Sequence, residues 1–315
     1  MRRTTRFKRL INAREILVLP AVHDALGARI AEQAGFKAVT SGGYAATATL
    51  LGQPDTSQLS MTEMAEYYAR LCEATALPVF ADADTGFGNV TNVRRTVRAF
   101  ERAGVAGLFI EDQVFPKRCG HMAGKAVVAR AEWLAKIKAA LDAREDGDLV
   151  IMARTDALAT HDLDEAIARV QLAAEAGADL LFVEAPRNAA EMRRIVREAG
   201  GPCLANNLEG GFTPLLPAAE LQKIGYAVVA FPTSATYAIA QALQELFAVM
   251  VRDGTSAAYR KRMLDFPRFN ALIGTDALRA REAALLDYAE RLAAPRRGAG
   301  SRSGRGRRRA AQLTR

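Results

Sequence analysis

The sequence predicts an α/β fold, a (β/α)8 TIM barrel with extra C-terminal helices. Short apolar or β-branched runs alternate with longer segments of helical period, and this alternation repeats eight times along the 315 residues. Eight strand–helix repeats favour a closed parallel barrel over an open sheet, and barrels of this length commonly form one domain. The predicted strands are residues 16–22, 38–41, 79–83, 107–111, 149–154, 180–184, 203–206 and 228–231.

The segments between these strands have the period of amphipathic helices. Gly35, Gly104 and Gly177 each stand at a helix end just before a strand, where a left-handed cap suits glycine. Further helices are expected after Ala235 and over residues 275–293, beyond the last strand. The main predicted helices are residues 25–34, 61–75, 90–103, 131–143, 163–176 and 189–198.

The positive charge of the chain is concentrated at its C-terminus. The formal net charge is +8, but eight of the 43 basic residues lie between 296 and 315, which leaves 35 basic and 35 acidic residues elsewhere. We therefore predict a single domain over residues 1–294 and a disordered basic tail over 295–315, rich in Gly, Ser and Arg. Only this tail could bind an acidic surface or RNA, so nucleic acid is not expected as the main partner.

Cysteine usage and hydropathy predict a cytoplasmic protein. The three cysteines, Cys72, Cys119 and Cys203, are widely spaced and form no disulfide pattern, as is typical of a reducing compartment. Cys72 and Cys203 lie in a predicted helix and a predicted strand and are interpreted as core thiols. No apolar run approaches the about 20 residues that span a bilayer, so no membrane association is expected.

Acidic residues follow neighbouring predicted strands at the rim where barrel active sites form. Asp82 and Asp84 are two positions apart and would share one strand face, and Glu111 ends the next strand. Three carboxylates with no histidine or cysteine on those strands predict a Mg²⁺ site, with Mn²⁺ possible, rather than a zinc site. The alternative is that Asp82 and Asp84 cap the loop that follows them.

A long loop without periodicity follows Glu111, and loops of this kind are usually functional. It contains Cys119 between cations, with His121 nearby and with glycines that allow hinge motion. A thiol among cations has a lowered pKa and exchanges its proton readily near neutral pH. Cys119 and His121 are therefore candidate catalytic residues.

Other rim residues are candidates for binding a carboxylate substrate. Backbone N–H groups of the Ser41-Gly42-Gly43-Tyr44 turn can approach an anion. Arg154 is suited to bidentate binding of a carboxylate, although it could instead pair with Asp156 or Glu184. The predicted substrate-binding residues at this rim are Ser41, Gly42, Gly43, Arg154 and Asn206, with Glu184 added by the resemblance given below.

Six motifs in order resemble the isocitrate lyase/phosphoenolpyruvate mutase superfamily over about residues 10–269. They are SGGYAATATLLGQPD, DADTGFGN, EDQVFPKRCGHMAGKAVV, ARTDA, VEAP and NNLEGGFTP, and the cysteine loop is similar to the lyase branch. The resemblance implies a Mg²⁺-dependent carbon–carbon lyase acting on a small di- or tricarboxylate, with Asp55, Gly120 and Glu184 added to the substrate-binding residues. It also implies a homotetramer that exchanges C-terminal helices.

The resemblance further suggests the chemistry and the substrate. Cleavage of a 2-hydroxy acid would release a 2-oxo acid and an enolate, with Tyr44 or a water on the metal as base, Glu111 at the metal and Cys119 as proton donor. Methylisocitrate lyases usually carry arginine where this chain has Met122 and Tyr237, which favours a 2-alkylmalate-type dicarboxylate. Alternatives are 2-methylisocitrate cleavage, oxaloacetate decarboxylation, and carboxyphosphonoenolpyruvate phosphonomutase-type activity. A non-catalytic barrel that acts through its basic tail is the alternative from another class.

Overall fold

Eight parallel strands form a closed barrel in the computed structural model, which describes residues 1–118, 120 and 124–294. Strands β2 to β6 pair in sequence order, and β8 pairs with both β1 and β7. Single bridges, Ala21 with Thr40 and Leu181 with Cys203, connect β1 to β2 and β6 to β7 and close the ring. The predicted barrel is thus confirmed. The strands are β1 Leu17–Pro20, β2 Val39–Ser41, β3 Val79–Asp82, β4 Gly107–Glu111, β5 Val150–Thr155, β6 Leu180–Val183, β7 Leu204–Asn206 and β8 Val228–Phe231.

The helices begin and end at the signals that the sequence carries. Ser60 and Glu63 form a reciprocal capping box at the start of α4, and Asp24 and Asp162 cap α2 and α8 through their carboxylates. The helices are α1 Arg3–Ile11, α2 Ala25–Gln33, α3 Gly43–Leu51, α4 Met61–Ala74, α5 Val90–Arg102, α6 Arg130–Ala143, α7 Ala157–Thr160, α8 Leu163–Glu175, α9 Ala189–Glu198, α10 Ala218–Ile224, α11 Ser234–Asp253, α12 Phe266–Ile273 and α13 Thr275–Ala293, with a 3-10 helix at Ala257–Arg262.

Helix α1 closes the N-terminal end of the barrel. Phe7 and Ile11 are buried among the interior side chains, and the rings of Phe7 and Phe80 stack with centroids 5.3 Å apart. Arg3 donates hydrogen bonds to the carbonyls of Cys72 and Thr75, in the segment that leads into β3. Because large apolar side chains fill this end, the space for a ligand lies at the C-terminal ends of the strands.

Two expectations from the sequence need correction. Strand β3 ends at Asp82, and Asp84 lies in the following loop with a left-handed backbone (φ 48°), so the two carboxylates are not placed by strand alternation. Helices α1, α3, α7 and α10 were not among the predicted helices. The α3 segment GYAATATLL has small residues and no polar face, so it lacks the period of an amphipathic helix.

By spatial contacts the described chain divides into two compact units, one of residues 1–263 and one that begins at residue 264. The first contains the barrel and α11, and the second contains α12 and α13. The prediction of one domain to residue 294 and a disordered tail stays a prediction, and the tail lies outside the described residues. None of the helices described is long and apolar enough to cross a membrane.

Candidate active site

A cavity of about 290 Å³ opens at the C-terminal ends of the barrel strands. Its floor is apolar and includes Phe80, Phe109, Met152 and Phe182 from the barrel interior. All eight predicted substrate-binding residues line this cavity, together with Tyr44 and Asp82. The predicted residues that line it are Ser41, Gly42, Gly43, Tyr44, Asp55, Asp82, Gly120, Arg154, Glu184 and Asn206.

The backbone around the cavity fixes the Asp82 carboxylate. Asp82 Oδ2 accepts a hydrogen bond from the Gly43 N–H at 2.7 Å, and Oδ1 accepts one from the Asp84 N–H at 2.8 Å. The Asp82 N–H in turn donates to the Tyr68 hydroxyl at 2.7 Å, which donates to the Ser41 carbonyl. The Gly43 N–H that was expected to approach a substrate carboxylate therefore binds one of the protein's own carboxylates.

Lys117 is a buried cation among the carboxylates. Its Nζ lies 2.7 Å from Asp55 Oδ2 and 2.8 Å from Asp84 Oδ1, and its side chain is 4% exposed. Burial acts to lower the pKa of Lys117, but Asp84, Asp82 and Glu111 raise it well above its ordinary value. Burial raises the pKa of Asp84 to about 7, although Lys117 acts to lower it. In the sequence Lys117 is one of the cations near Cys119, and nothing there indicates its carboxylate partners.

Arg154 is held by three carboxylates. Its guanidinium nitrogens lie 3.0 Å from Asp156 Oδ2, 3.1 Å from Glu184 Oε2 and 3.4 Å from Glu111 Oε2. Burial acts to lower the pKa of Arg154, and these carboxylates raise it well above its ordinary value. The alternative that Arg154 pairs with Asp156 or Glu184 is thus confirmed for both. Arg154 nevertheless lines the cavity and carries its charge there.

The Glu111 carboxylate lies near the Arg154 guanidinium but accepts no hydrogen bond from the described residues. Both of its oxygens are buried. Burial raises the pKa of Glu111 well above its ordinary value, while Arg154 and Lys117 act in the opposite direction. A hard cation or its bound waters would supply the missing partner.

The residues of the predicted metal site fit a hydrated ion better than a fully protein-bound one. Among the described residues, no group of three or more His, Cys, Asp or Glu side chains is arranged to hold a metal ion directly. Mg²⁺ commonly keeps several of its waters and binds through one or two carboxylates. Asp82, Asp84 and Glu111 therefore fit Mg²⁺ that is held largely through water.

Polar side chains complete the rest of the wall. Glu184 Oε1 accepts a hydrogen bond from the Ala185 N–H at 2.9 Å, and the Asn206 amide lies 3.5 Å away. Ser41 shares a hydrogen bond of 2.8 Å with Tyr67, so its hydroxyl is already used. Tyr44 and Tyr237 meet edge to face, with ring centroids 6.3 Å apart and hydroxyls 3.5 Å apart.

The loop of residues 112–128, called the flap below, is described except at residues 119 and 121–123. Cys119 and His121 lie outside the described residues. The Val114 N–H donates to the Ala126 carbonyl, and the Val128 N–H donates to the Asp112 carbonyl. Lys125 Nζ lies 2.6 Å from Asp156 Oδ1 and donates to the Gly120 carbonyl. These contacts hold the described part of the flap beside the cavity.

Gly120 lies directly against the charged wall. A Cβ at this position would stand 2.5 Å from Arg154 Nη2 and 2.5 Å from Glu184 Oε2. Only glycine allows such an approach between the flap backbone and these two side chains. The flap therefore covers the charged end of the cavity at the residue that follows Cys119 in sequence.

The closed barrel and its acidic rim define a (β/α)8-barrel enzyme with its site at the C-terminal ends of the strands. A family model described as phosphoenolpyruvate phosphomutase matches residues 7–251. The chain belongs to the phosphoenolpyruvate mutase/isocitrate lyase superfamily and is an enzyme of that superfamily. The resemblance seen in the sequence motifs is thereby confirmed.

Individual relatives are similar over nearly the whole folded chain. The 2,3-dimethylmalate lyase of Eubacterium barkeri is 45% identical over 279 residues, which cover 89% of this chain and 96% of the relative. A 2-methylisocitrate lyase of Aeropyrum pernix is 38% identical over 287 residues, 91% of this chain and 92% of the relative. A crystal structure of phosphonopyruvate hydrolase with oxalate and Mg²⁺ superposes with a TM-score of 0.82 at 30% identity, over 91% of this chain and 100% of that chain.

Proposed function

We propose that this enzyme is a Mg²⁺-dependent carbon–carbon lyase that cleaves a 2-alkylmalate-type 2-hydroxy dicarboxylate into a 2-oxo acid and a carboxylate. The observation that carries the proposal is that the cavity lining combines buried charged groups with apolar side chains. Lys117, Arg154 and Glu184 line the cavity together with Leu208, Pro232 and the Tyr237 ring. A small dicarboxylate with alkyl substituents matches a lining of this kind.

The charges of the lining favour two carboxylates over three. Within the described lining, Lys117 and Arg154 are the cationic side chains, and both are already paired with carboxylates. Position 237, on α11, carries a tyrosine, and Glu209 adds a negative charge to the nearby wall. A third substrate carboxylate placed there would meet no cation among the described residues, at a cost in desolvation.

The residues present would hold the metal and bind the substrate. Asp82, Asp84 and Glu111 would hold Mg²⁺, which when bound supplies a Lewis acid that makes the 2-hydroxyl of the substrate more acidic. Arg154 binds a substrate carboxylate, and the Asn206 amide orients an oxygen. Tyr44, at the cavity wall, is our candidate for the base that, as the phenolate, takes the hydroxyl proton.

Bond cleavage then needs stabilisation of negative charge and a proton donor. The C2–C3 bond breaks, its electron pair passes to the departing fragment, and a carboxylate enolate forms beside the new 2-oxo acid. Lys117 and Arg154 supply fixed positive charge near this enolate. Cys119 gives its thiol proton to the enolate carbon, and His121 assists in restoring that proton. With the flap closed, water is kept from the enolate.

A second candidate, 2-methylisocitrate cleavage, is supported by the 38% identity to a relative of that name. The bond broken and the roles of the residues would be the same, and the difference would lie in the binding of one more carboxylate. The dicarboxylate reaction is preferred over 2-methylisocitrate cleavage only because the described lining offers no cation for a third carboxylate.

We also propose a homotetramer that exchanges C-terminal helices. The proposal is supported by α13, which buries no residue in the described chain and exposes Leu285, Leu286 and Leu292 by more than half. Exposed apolar side chains in such number indicate a surface that a partner covers. Light scattering after gel filtration tests the tetramer, and a monomer at micromolar concentration contradicts it.

A substrate panel tests the proposed reaction. Purified enzyme is assayed with 2,3-dimethylmalate, 2-methylisocitrate, oxaloacetate and phosphonopyruvate, each with Mg²⁺ and with EDTA. We expect kcat/KM for 2,3-dimethylmalate to exceed the others by about tenfold or more, a difference of about 1.4 kcal/mol. Activity should vanish with EDTA and return with excess Mg²⁺. Preference for oxaloacetate or phosphonopyruvate would contradict the proposal.

A further inference from the structure

A buried ion pair outside the cavity joins the two ends of the flap. Arg169, on α8, places Nη1 3.1 Å from Asp112 Oδ2 and donates from the same nitrogen to the Val128 carbonyl at 2.9 Å. The side chains of Arg169 and Asp112 are 4% and 0% exposed. Asp112 is the first residue of the flap and Val128 is its last, so one guanidinium contacts both ends.

Asp112 also fixes the backbone that follows Arg154. Its Oδ2 accepts a hydrogen bond from the Thr155 hydroxyl at 2.5 Å, and its Oδ1 accepts one from the Asp156 N–H at 2.8 Å. The Asp156 carboxylate then pairs with Lys125 of the flap and with Arg154 of the cavity wall. A continuous chain of contacts thus leads from Arg169 through Asp112 and Asp156 to the flap.

Arg169 is itself held in one orientation. Its Nε donates to Glu165 Oε1 at 2.8 Å, one turn earlier on α8. Glu165 also pairs with Arg130, the first residue of α6, where the chain leaves the flap. The guanidinium therefore has little freedom, as expected of a group that sets the position of others.

We propose that Arg169 and Asp112 are positioning residues for the reaction. Neither lines the cavity, and they act by fixing both ends of the flap and by orienting Asp156, so that Lys125 and Gly120 close over the charged end of the cavity. The physical reason is that the pair is buried and fully hydrogen-bonded, so loss of either partner leaves an uncompensated charge that the ends of the flap must rearrange to solvate.

The test separates this role from a merely stabilising one. Arg169→Met removes the guanidinium and keeps the apolar part of the side chain, while Arg169→Lys keeps the charge but not the paired N–H donors of the guanidinium. Asp112→Asn removes the charge from the other partner. Arg194→Met is the matched control, because Arg194 also pairs with a glutamate four residues away, on the surface of α9. Each variant is assayed for kcat and KM with the best substrate of the wild-type panel.

A second measurement does not depend on turnover. Trypsin cleavage after Lys125 is followed by mass spectrometry in enzyme loaded with Mg²⁺ and oxalate, because the Lys125 side chain is only 3% exposed and cleavage requires it to leave its contact with Asp156. Only the kinetic measurement rests on the proposed function. If the substrate assignment is wrong, the cleavage measurement still reports on the flap, and so the two failures are distinguishable.

We expect Arg169→Met to lower kcat about 30-fold or more with KM within about threefold, and to accelerate cleavage after Lys125 about tenfold. Arg169→Lys should recover part of the lost kcat and part of the lost resistance to trypsin. Asp112→Asn should resemble Arg169→Met, and Arg194→Met should match the wild type in both measurements. Folded variants with wild-type kcat, or with lost kcat and unchanged cleavage, would overturn the proposal. Failure of both Arg169→Met and Asp112→Asn to fold would assign the pair to the scaffold and overturn it as well.

Discussion

Lys117 Nζ lies 2.8 Å from Asp84 Oδ1, and both side chains are less than a tenth exposed. The pair joins the flap to the loop after β3 at the charged end of the cavity. Removing one partner of a buried pair leaves the other charge without compensation, which commonly costs about 3–5 kcal/mol. We therefore expect loss of the lysine to affect both stability and activity.

Lys117→Met should therefore lose stability and activity together. We expect the free energy of unfolding to fall by about 3 kcal/mol and kcat by about a hundredfold or more, because the enolate loses a fixed positive charge. Thermal unfolding and steady-state kinetics measure the two effects. Lys37→Met is the control, since Lys37 pairs with Glu15 on the surface. Equal losses in both variants would contradict a special role for Lys117.

Gly120→Ala should disable the enzyme with little effect on its stability. The added methyl would stand 2.5 Å from Arg154 Nη2 and from Glu184 Oε2, so the flap must move away from the cavity. We expect kcat to fall by about a hundredfold and the melting temperature to change by only a few degrees. In Gly147→Ala the new methyl meets nothing within 4 Å, and this control should behave as wild type. An active Gly120→Ala enzyme would show that the flap position does not matter.

Tyr237→Arg should shift the substrate preference toward a tricarboxylate. The new guanidinium would face the wall beside Tyr44 and could pair with a third carboxylate. We expect the ratio of kcat/KM for 2-methylisocitrate to that for 2,3-dimethylmalate to rise about tenfold. Tyr237→Phe, which removes only the hydroxyl, should leave the ratio unchanged. An unchanged ratio in Tyr237→Arg would show that position 237 does not determine the choice between these two substrates.

Glu165 should contribute stability that is lost in acid. The hydrogen bond from Arg130, with one from Arg169, lowers the pKa of Glu165 from 4.5 to about 2. Between about pH 4.5 and pH 2 the unfolded chain binds more protons than the folded one. The stability from this ion pair is therefore fully present above about pH 4.5 and is lost as the pH falls toward about 2. Because Arg130 is 46% exposed and solvent screens the pair, we expect Glu165 to contribute only about 1 kcal/mol to the free energy of unfolding.

The measurement is the difference in melting temperature between the wild type and Glu165→Gln. This difference should be largest at about pH 6 and should shrink as the pH is lowered to about 3. Glu175→Gln, at the exposed end of the same helix, should give a small difference that does not depend on pH. A constant difference for Glu165→Gln would show that the ion pair is not the source of the stability.

The fold could be predicted because its signals are local. Strands β4 and β8 and helices α9 and α13 have the expected bounds, and the other predicted strands and helices shift by only a few residues, since apolar runs and caps lie in the sequence itself. The same holds for Asp82, Glu111, Arg154, Glu184 and Asn206, which the rim of a barrel must bring together. The metal site and the catalytic role of Cys119 stay predictions.

Contacts between residues that are far apart in sequence could not be predicted. Lys117 meets Asp55 from 62 positions away, and Arg169 meets Asp112 from 57 positions away, and neither pairing leaves a local pattern. The predicted position of Asp84 was wrong because this residue itself has a left-handed backbone, which ends the alternation of the strand. Glycine is the usual sequence sign of such a conformation, and position 84 is not a glycine. Such features depend on the closed barrel and not on the neighbouring residues.

The proton donor is the centre of the proposed chemistry, and Cys119→Ser tests it most directly. The variant should unfold at the wild-type temperature and keep its Mg²⁺-dependent stabilisation, while kcat for the best substrate falls about a thousandfold or more. Cys72→Ala, which changes a buried thiol of the core, should keep the wild-type kcat. A Cys119→Ser enzyme with kcat within about twofold of the wild type would contradict the account.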